Sequence, residues 1–577
     1  MSSSGGGLFG RPNSKESGRF LILGVISGRL FGIRRQRRAA LACLDEGVWA
    51  YVVFEVRPLG RKFAKIILRP ILYLPVSSVD ASSAISRETP ALHPGRTSPR
   101  DLLILFLLTL GALLVHGYHP RAEDAEIYLP GVEKLLNPQL FPFDSQFFQA
   151  HAHSTFFPNL IAASVRWSHL PLGAVLLAWQ IASIFLLLLA CWRLIGRCFA
   201  EPAARWAGVA LIAALLTLPV AGTALYLIDQ YVNPRNLAAF PAIFAVVKVL
   251  DRKYLQAGLF LAVAAAIHPF MSMFAVFYCL LLVIGRKFAS PLAWFGAGLP
   301  FGISLDPPSH AYHLAAVSHP FHYITRWHWY EWLGAMAPLV ILWWFSRIAR
   351  RRGARDLQLM CRSLIIYELI FLPAAVLFSI PTRLEALARL QPMRCLYLLY
   401  ILMFLFAGAF LGEYVLKNRV WRWLLFFLPL CAGMFVAQRT LFPADAHVEL
   451  PGSASSNSWV SAFEWIRGNT PVDAVFALNP DYMKIPGEDE QGFRAIAQRS
   501  RLADARDSGQ VSMFPALAEE WLRQVQAQDG WRNFQVQDFR RLQAEYGVSW
   551  LVLQPPAVAG LECPYHNAAV VVCRLAP

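Results

Sequence analysis

Between Asp101 and Ala437 the chain repeats one pattern, an apolar run of about membrane-spanning length followed by a shorter polar connection. The runs fall at about 101–117, 172–197, 206–225, 236–250, 255–268, 270–285, 288–304, 333–346, 358–380, 394–412 and 420–437, eleven in all. A helix needs roughly 20 residues to cross about 30 Å of hydrocarbon, and only helices and closed barrels satisfy their own backbone groups there. The pattern therefore predicts an all-α polytopic membrane bundle of about eleven transmembrane helices. Several runs between 236 and 285 are short, which predicts tilted or broken helices around a polar cavity. Of the 577 residues 56% are hydrophobic and only 16% charged, where a soluble domain carries about 25% charged residues. That excludes a chain of soluble domains.

The flanks read differently. Residues 1–100 hold 16 Lys and Arg against 6 Asp and Glu. The net charge of +16 is therefore mostly local, and nothing in it calls for a nucleic acid partner. Residues 1–98 contain no spanning run and no ordered signal-peptide regions. They are expected to be a dispensable basic arm on anionic lipid, or a disordered or gene-model extension. After Ala437 the composition turns polar, and 455–577 reads as a separate small α/β domain. Helical periodicity marks 459–467, 514–528 and 535–546, and buried-strand patterns mark 549–553 and 569–573. The nine cysteines show no zinc spacing. Cys563 and Cys573 are neighbours in this domain and are expected to form a disulfide if it lies in an oxidising compartment.

Orientation follows from basic residues in the short connections. One alternate set, including Arg197, Arg252, Arg286, Arg350, Arg352 and Arg422, holds more than twice as many Lys and Arg as the opposite set. The expectation is a bacterial inner membrane protein with its N-terminus in the cytoplasm. The first long loop, 118–171, and the C-terminal α/β domain then lie in the periplasm.

The outward connections carry the residues suited to chemistry. Glu123-Asp124-x-Glu126 follows the first helix by a few residues, which holds carboxylates near the membrane–water boundary. Such groups are ordinary solvated loop acids, or a general base on a hydroxyl, or ligands compatible with a divalent cation. Asp229 and Arg235 flank Pro234 where the third run gives way to the fourth; Arg235 pairs with Asp229 or binds phosphate. His268-Pro269 interrupts two runs, and its histidine is either a turn residue or part of a site. Gln391-Pro-Met-Arg394 opens the tenth helix, near Arg383, Glu385 and Arg389. Glu368 lies mid-helix as a hydrogen-bonding group or a site. The segment His310 to Trp332 is rich in His and Trp, which suits an interfacial aromatic belt better than a metal centre. No Walker loop, G-x-S-x-G or Rossmann fingerprint occurs.

Over about 101–577 this arrangement resembles the glycosyltransferase C superfamily, the integral membrane enzymes that use polyprenyl-phosphate-linked sugars. Glu123-Asp124 in the first outer loop is its most specific local feature. The stretch from Trp459 to Pro471 is similar to the start of the outer domain in bacterial relatives. The resemblance implies that Asp124, or the adjacent Glu123, is the catalytic carboxylate. It also implies that Glu126, Arg235, His268, Gln391 and Arg394 bind a polyprenyl-phosphate-linked sugar donor within membrane lipid. The Trp-Trp-Asp signature of oligosaccharyltransferases is absent. Two other classes share parts of the pattern. A lipid flippase or transporter would show a pseudo-repeat. A lipid-linked glycan ligase or polymerase would rely on Arg and His of a large outer loop.

Overall fold

The computed structural model describes residues 97–287, 309–380, 384–485 and 488–576. The arm expected over 1–98 lies outside them but for its last two residues. The run at 288–304 and Arg383 lie outside as well.

The ten remaining apolar runs all form helices. They are α1 (Pro99–His116), α5 (Leu172–Ile195), α6 (Pro202–Ala214), α7 (Pro234–Leu250), α8 (Tyr254–Ile267), α9 (Pro269–Lys287), α11 (Trp329–Arg351), α12 (Arg355–Ser379), α13 (Cys395–Leu411) and α14 (Val420–Leu441). Among the described residues seven helices are long and apolar enough to cross a membrane, α13 together with the turns that flank it over Pro392–Leu416; α6, α7 and α8 are shorter. Between α1 and α5 the first long loop folds into α2 (Ala125–Leu136), α3 (Gln146–Ser154) and α4 (Phe157–Ser168). A short α10 (His310–Val317) precedes α11. Apolar side chains such as Leu103 and Leu107 on α1, Val340 on α11 and Leu424 and Leu428 on α14 are exposed. A belt of that kind suits lipid rather than water.

Local sequence explains the helix ends. Ser98 caps α1 through a reciprocal capping box with Asp101, and Pro99 stands where no donor is needed. Asn233 caps α7 by accepting from the Asn236 N–H, again with proline next. The expected helix at 206–225 stops instead at Ala214. Residues 215–233 continue as a buried, irregular loop, with Ala221 and Ala224 in the left-handed region. Pro219 supplies no amide donor, and a Cβ at Gly222 would fall 2.5 Å from the Trp327 ring. The loop closes its own bonds, Val220 N–H to the Leu225 carbonyl and Ile228 N–H to the Leu216 carbonyl, both 2.8 Å. Irregular backbone at this depth requires such closure.

The two ends of the bundle carry different connections. At one end Arg197 meets Asp251 at 2.7 Å, Arg286 meets Asp356 at 3.0 Å and Arg352 meets Glu413 at 2.8 Å. These pairs gather the basic alternate connections on one side. The opposite end carries the first long loop, the 215–233 loop, the α8–α9 junction, residues 309–328 and the C-terminal domain.

That domain contains α15 (Ser458–Asn469), α16 (Phe493–Ala497), α17 (Ser508–Met513), α18 (Ala518–Ala527) and α19 (Val536–Tyr546) around five strands. These are β1 (Val475–Leu478), β2 (Ser500–Arg501), β3 (Trp550–Leu553), β4 (Glu562–His566) and β5 (Val571–Arg574). The sheet order is β2-β1-β3-β5-β4, with β1 parallel to β2 and β3, and β5 antiparallel to β3 and β4. Period-two alternation sends Phe476 and Trp550 into one core with Phe463 and Phe493, and Ala477 and Leu551 into the other with Phe539 and Leu542. Cys563 and Cys573, on paired strands, are disulfide-bonded.

Candidate active site

Asp124 stands where two distant segments meet. Ala122 bridges Gln491 in antiparallel fashion, and the Glu123 N–H donates to the Glu490 carbonyl at 2.9 Å. Glu123 and Glu490 both adopt left-handed backbone, with φ of 52° and 50°. Strained backbone of this kind persists where the surroundings over-determine it. Asp124 opens α2, but its side chain makes no capping hydrogen bond. Its N–H donates to the Tyr231 hydroxyl at 3.3 Å, and its carboxylate, about a third exposed, faces Arg506 Nη2 at 3.3 Å. The other arm of Arg506, Nη1, donates to Glu490 at 3.0 Å. Burial, then the Glu490 charge, push the Glu123 carboxyl up to about 8, against the pull of Arg506.

Beside this junction lies a narrow, partly open cleft, walled by Ala238, Ala242, Phe274 and Ile401 and holding Arg235 and Arg394. Arg235 follows Pro234 in the first turn of α7, and its Nη2 donates to Asp229 at 2.7 Å. Asp229 also accepts from Asn233 Nδ2 at 2.6 Å. Arg394 ends the short turn Pro392–Arg394, with its guanidinium 5.9 Å from the Phe270 ring centroid and 5.8 Å from that of Phe321. The Nε atoms of both arginines are buried without a hydrogen-bond partner among the described residues. Asp124 and Asp229 act electrostatically on both. The cleft thus offers guanidinium donors at its polar end and small apolar side chains along its walls, which suits a phosphate carrying an apolar tail.

His268 and Gln391 line the surroundings. The buried His268 ring lies 6.3 Å from that of His151 on α3, which in turn meets Tyr128 at 4.9 Å. Burial pushes His151 down to about 4, so it is neutral at pH 7. Gln391, in left-handed backbone, contacts His322 Nε2 at 3.0 Å, while its Oε1 is buried without a partner. Trp327 packs inward, whereas Trp329 is exposed as an interfacial anchor would be. Glu368 is buried, and neither of its carboxylate oxygens has a hydrogen-bond partner among the described residues.

Glu126 departs from the expectation that it binds substrate. Its carboxylate accepts from Arg501 Nε at 2.9 Å and from the Arg494 N–H at 2.7 Å, and none of the side chain is exposed. Arg494 and Arg501 both pair with Asp507, and Arg501 with Asp504. The reason is a long-range one: α2 docks on α16, and the buried arginines there need a counter-charge. Glu126 therefore anchors the C-terminal domain. Arg506 and Tyr231 meet Asp124 at the candidate site, and sequence reasoning missed both. The only signal for Arg506 was the alternation of charge along Arg499 to Asp507. Among the described residues no group of three His, Cys, Asp or Glu side chains is arranged to hold a metal ion.

The sequence profile of a family described as a domain of unknown function, DUF6798, matches residues 457–527, within the C-terminal domain. Comparison with curated proteins returns no match. Among solved structures, the chain is similar to the apo form of the Archaeoglobus fulgidus oligosaccharyltransferase, with 12% identity and a TM-score of 0.40, over 79% of this chain and 70% of that one. It is also similar to the oligosaccharyltransferase AglB of the same organism, solved with an inhibitory peptide and a dolichol-phosphate. There the identity is 12% and the TM-score 0.38, over 78% of this chain and 69% of that one. Superpositions this loose carry no argument about activity.

Proposed function

We propose that the chain is an integral membrane glycosyltransferase that moves a sugar from a polyprenyl-phosphate-linked donor to an acceptor hydroxyl, at the end of the bundle that carries the C-terminal domain. The observation that supports this is the apolar cleft holding Arg235 and Arg394 beside the Asp124 carboxylate. A lipid-linked sugar already bears a good leaving group, so the protein has three tasks: hold the phosphate, align the acceptor and take its proton. In the step proposed, the acceptor oxygen attacks the anomeric carbon while its proton passes to Asp124. The bond from that carbon to the phosphate oxygen breaks, and its electron pair stays on the polyprenyl phosphate. Arg394 and Arg235 stabilise the charge that develops there. Glu123 is held protonated at pH 7 and is a poor base, which favours Asp124 for that role. His268, Gln391 and Tyr128 supply polar edges for the sugar.

Asp124→Asn keeps the shape and removes the basicity. In proteoliposomes supplied with undecaprenyl-phosphate-linked hexose or pentose, it is expected to lower release of undecaprenyl phosphate by about 10²–10⁴-fold. Expression and binding of undecaprenyl phosphate should stay near wild type. Normal turnover in both Asp124→Asn and Glu123→Gln would overturn the mechanism.

A further inference from the structure

The contact between Asp124 and Arg506 joins the first loop to a domain more than 300 residues later in the chain. The Asp124 side chain makes no capping bond at the start of α2, which leaves its carboxylate free to meet a group from elsewhere in the chain. Arg506 is its ion-pair partner among the described residues. The guanidinium does not meet one carboxylate with both arms. It divides them, Nη2 to Asp124 at 3.3 Å and Nη1 to Glu490 at 3.0 Å. A fork used in this way fixes an angle as well as a charge.

Arg506 is itself held in place. Its N–H donates to Asp504 Oδ1 at 2.9 Å, and the Asp507 N–H donates to the same oxygen at 3.1 Å. Asp504 and Asp507 are gripped by Arg501 and Arg494, and both arginines meet Glu126. Glu126 lies two residues after Asp124 on the same helix. The chain of contacts therefore closes on itself: α2 anchors the 494–507 segment through Glu126, and that segment returns Arg506 to Asp124. The backbone joins the same two elements again through Glu123 and Glu490. Burial opposes the charge on Arg506, but Asp124 and then Glu490 hold it protonated above its ordinary range.

We propose that Arg506 is the positioning residue that aims the Asp124 carboxylate at the cleft, so that the C-terminal domain forms part of the active site. The inference rests on the transferase reading given above. Its residue is outside the donor cleft, which makes its effect separable from donor binding. A misplacement of about 1 Å in a reacting group lowers rates about 100-fold. A group that acts only on the base changes kcat while leaving donor KM alone.

The test uses the full chain in proteoliposomes with undecaprenyl-phosphate-linked hexose or pentose. Arg506→Gln is expected to lower kcat about 100-fold, with donor KM within about twofold of wild type. Arg506→Lys keeps the charge and loses the fork, so it should recover part of the rate. Glu490→Gln loosens the other arm and should lower kcat by a smaller factor with KM again unchanged; it also serves if Arg506→Gln does not accumulate. Wild-type kcat in Arg506→Gln alongside an inactive Asp124→Asn would overturn this inference and leave the transferase reading standing. Normal turnover in Asp124→Asn would remove this inference, and normal turnover in Glu123→Gln as well would remove the transferase mechanism with it. A loss in Arg506→Gln that tracks a fall in thermal stability, with no recovery in Arg506→Lys, would reduce Arg506 to an anchor.

Discussion

Arg235 and Arg394 share a cleft, yet removing each has a different consequence. Arg235 is paired with a buried carboxylate at 2.7 Å, so Arg235→Ala leaves Asp229 uncompensated, at a cost of about 3–5 kcal/mol. Arg394 has no carboxylate partner among the described residues and lies between two rings. Arg394→Ala should therefore accumulate and melt like wild type in detergent while binding undecaprenyl phosphate about tenfold to a hundredfold more weakly. Equal donor affinity in Arg394→Ala would remove it from the phosphate site. The combination Arg235→Gln with Asp229→Asn should recover stability without recovering binding. Glu123 gives a pH signature. Its carboxyl is raised from 4.5 to about 8 by burial and by Glu490, so between those values the folded chain holds a proton that the unfolded chain has released. Stability contributed this way is complete below about pH 4.5 and is lost as the pH rises through 8. Glu123→Gln should melt higher than wild type at pH 8.5 and alike at pH 4.5, read by thermal unfolding across that range. Glu133 is raised to about 8 by burial as well, so part of the wild-type slope should persist in the variant.

At the scale of elements, small residues let α6 and α13 approach closely. A Cβ built on Gly408 would sit 2.6 Å from the Ala207 carbonyl oxygen and 2.9 Å from the Gly208 Cα. Backbone cannot give as a side chain can, and membrane helices depend on such approach because lipid offers no hydrophobic drive to association. Gly408→Ala is expected to destabilise the bundle by about 1–3 kcal/mol, visible as a lower melting temperature in detergent. An unchanged melting temperature would show that α13 shifts freely along α6. Helices were legible in the sequence because the apolar period is local, and ten of the runs formed helices where expected. The break at Ala214 was not, because what ends α6 is a loop packed beneath Trp327, more than 100 residues away. In the C-terminal domain β3 and β5 stood out as buried apolar runs. Strand β2 is two residues long, and β4 alternates half-exposed side chains, so neither rises above loop composition. The site divides in the same way. The acidic cluster and the outer-end arginines are candidates by their position in the chain. The diversion of Glu126 to Arg494 and Arg501, and the arrival of Arg506, depend on tertiary docking that no local pattern encodes.

At the scale of the whole chain, charge in the connections bears on the side that the proposed chemistry would face. The structure gathers Arg197, Arg286 and Arg352 at one end of the bundle, through pairs with Asp251, Asp356 and Glu413. Asp124, Arg394 and the C-terminal domain are gathered at the other. Lys and Arg in short connections remain in the cytoplasm during insertion. The basic end is therefore expected to face inward, with the candidate site and Pro577 facing outward. The Cys563–Cys573 disulfide agrees with an oxidising outer compartment. Two reporters test the orientation together. Alkaline phosphatase, which matures only outside the cytoplasm, is expected to be active when fused after Pro577. A cysteine introduced at Arg351 should be shielded from a membrane-impermeant maleimide in intact spheroplasts and labelled after lysis, while one introduced at Asp473 should be labelled in both. A silent phosphatase together with a labelled Arg351 position in intact spheroplasts would invert the bundle. The Asp124 cleft would then face the compartment that holds nucleotide sugars, and a lipid-linked donor would lose its chemical rationale.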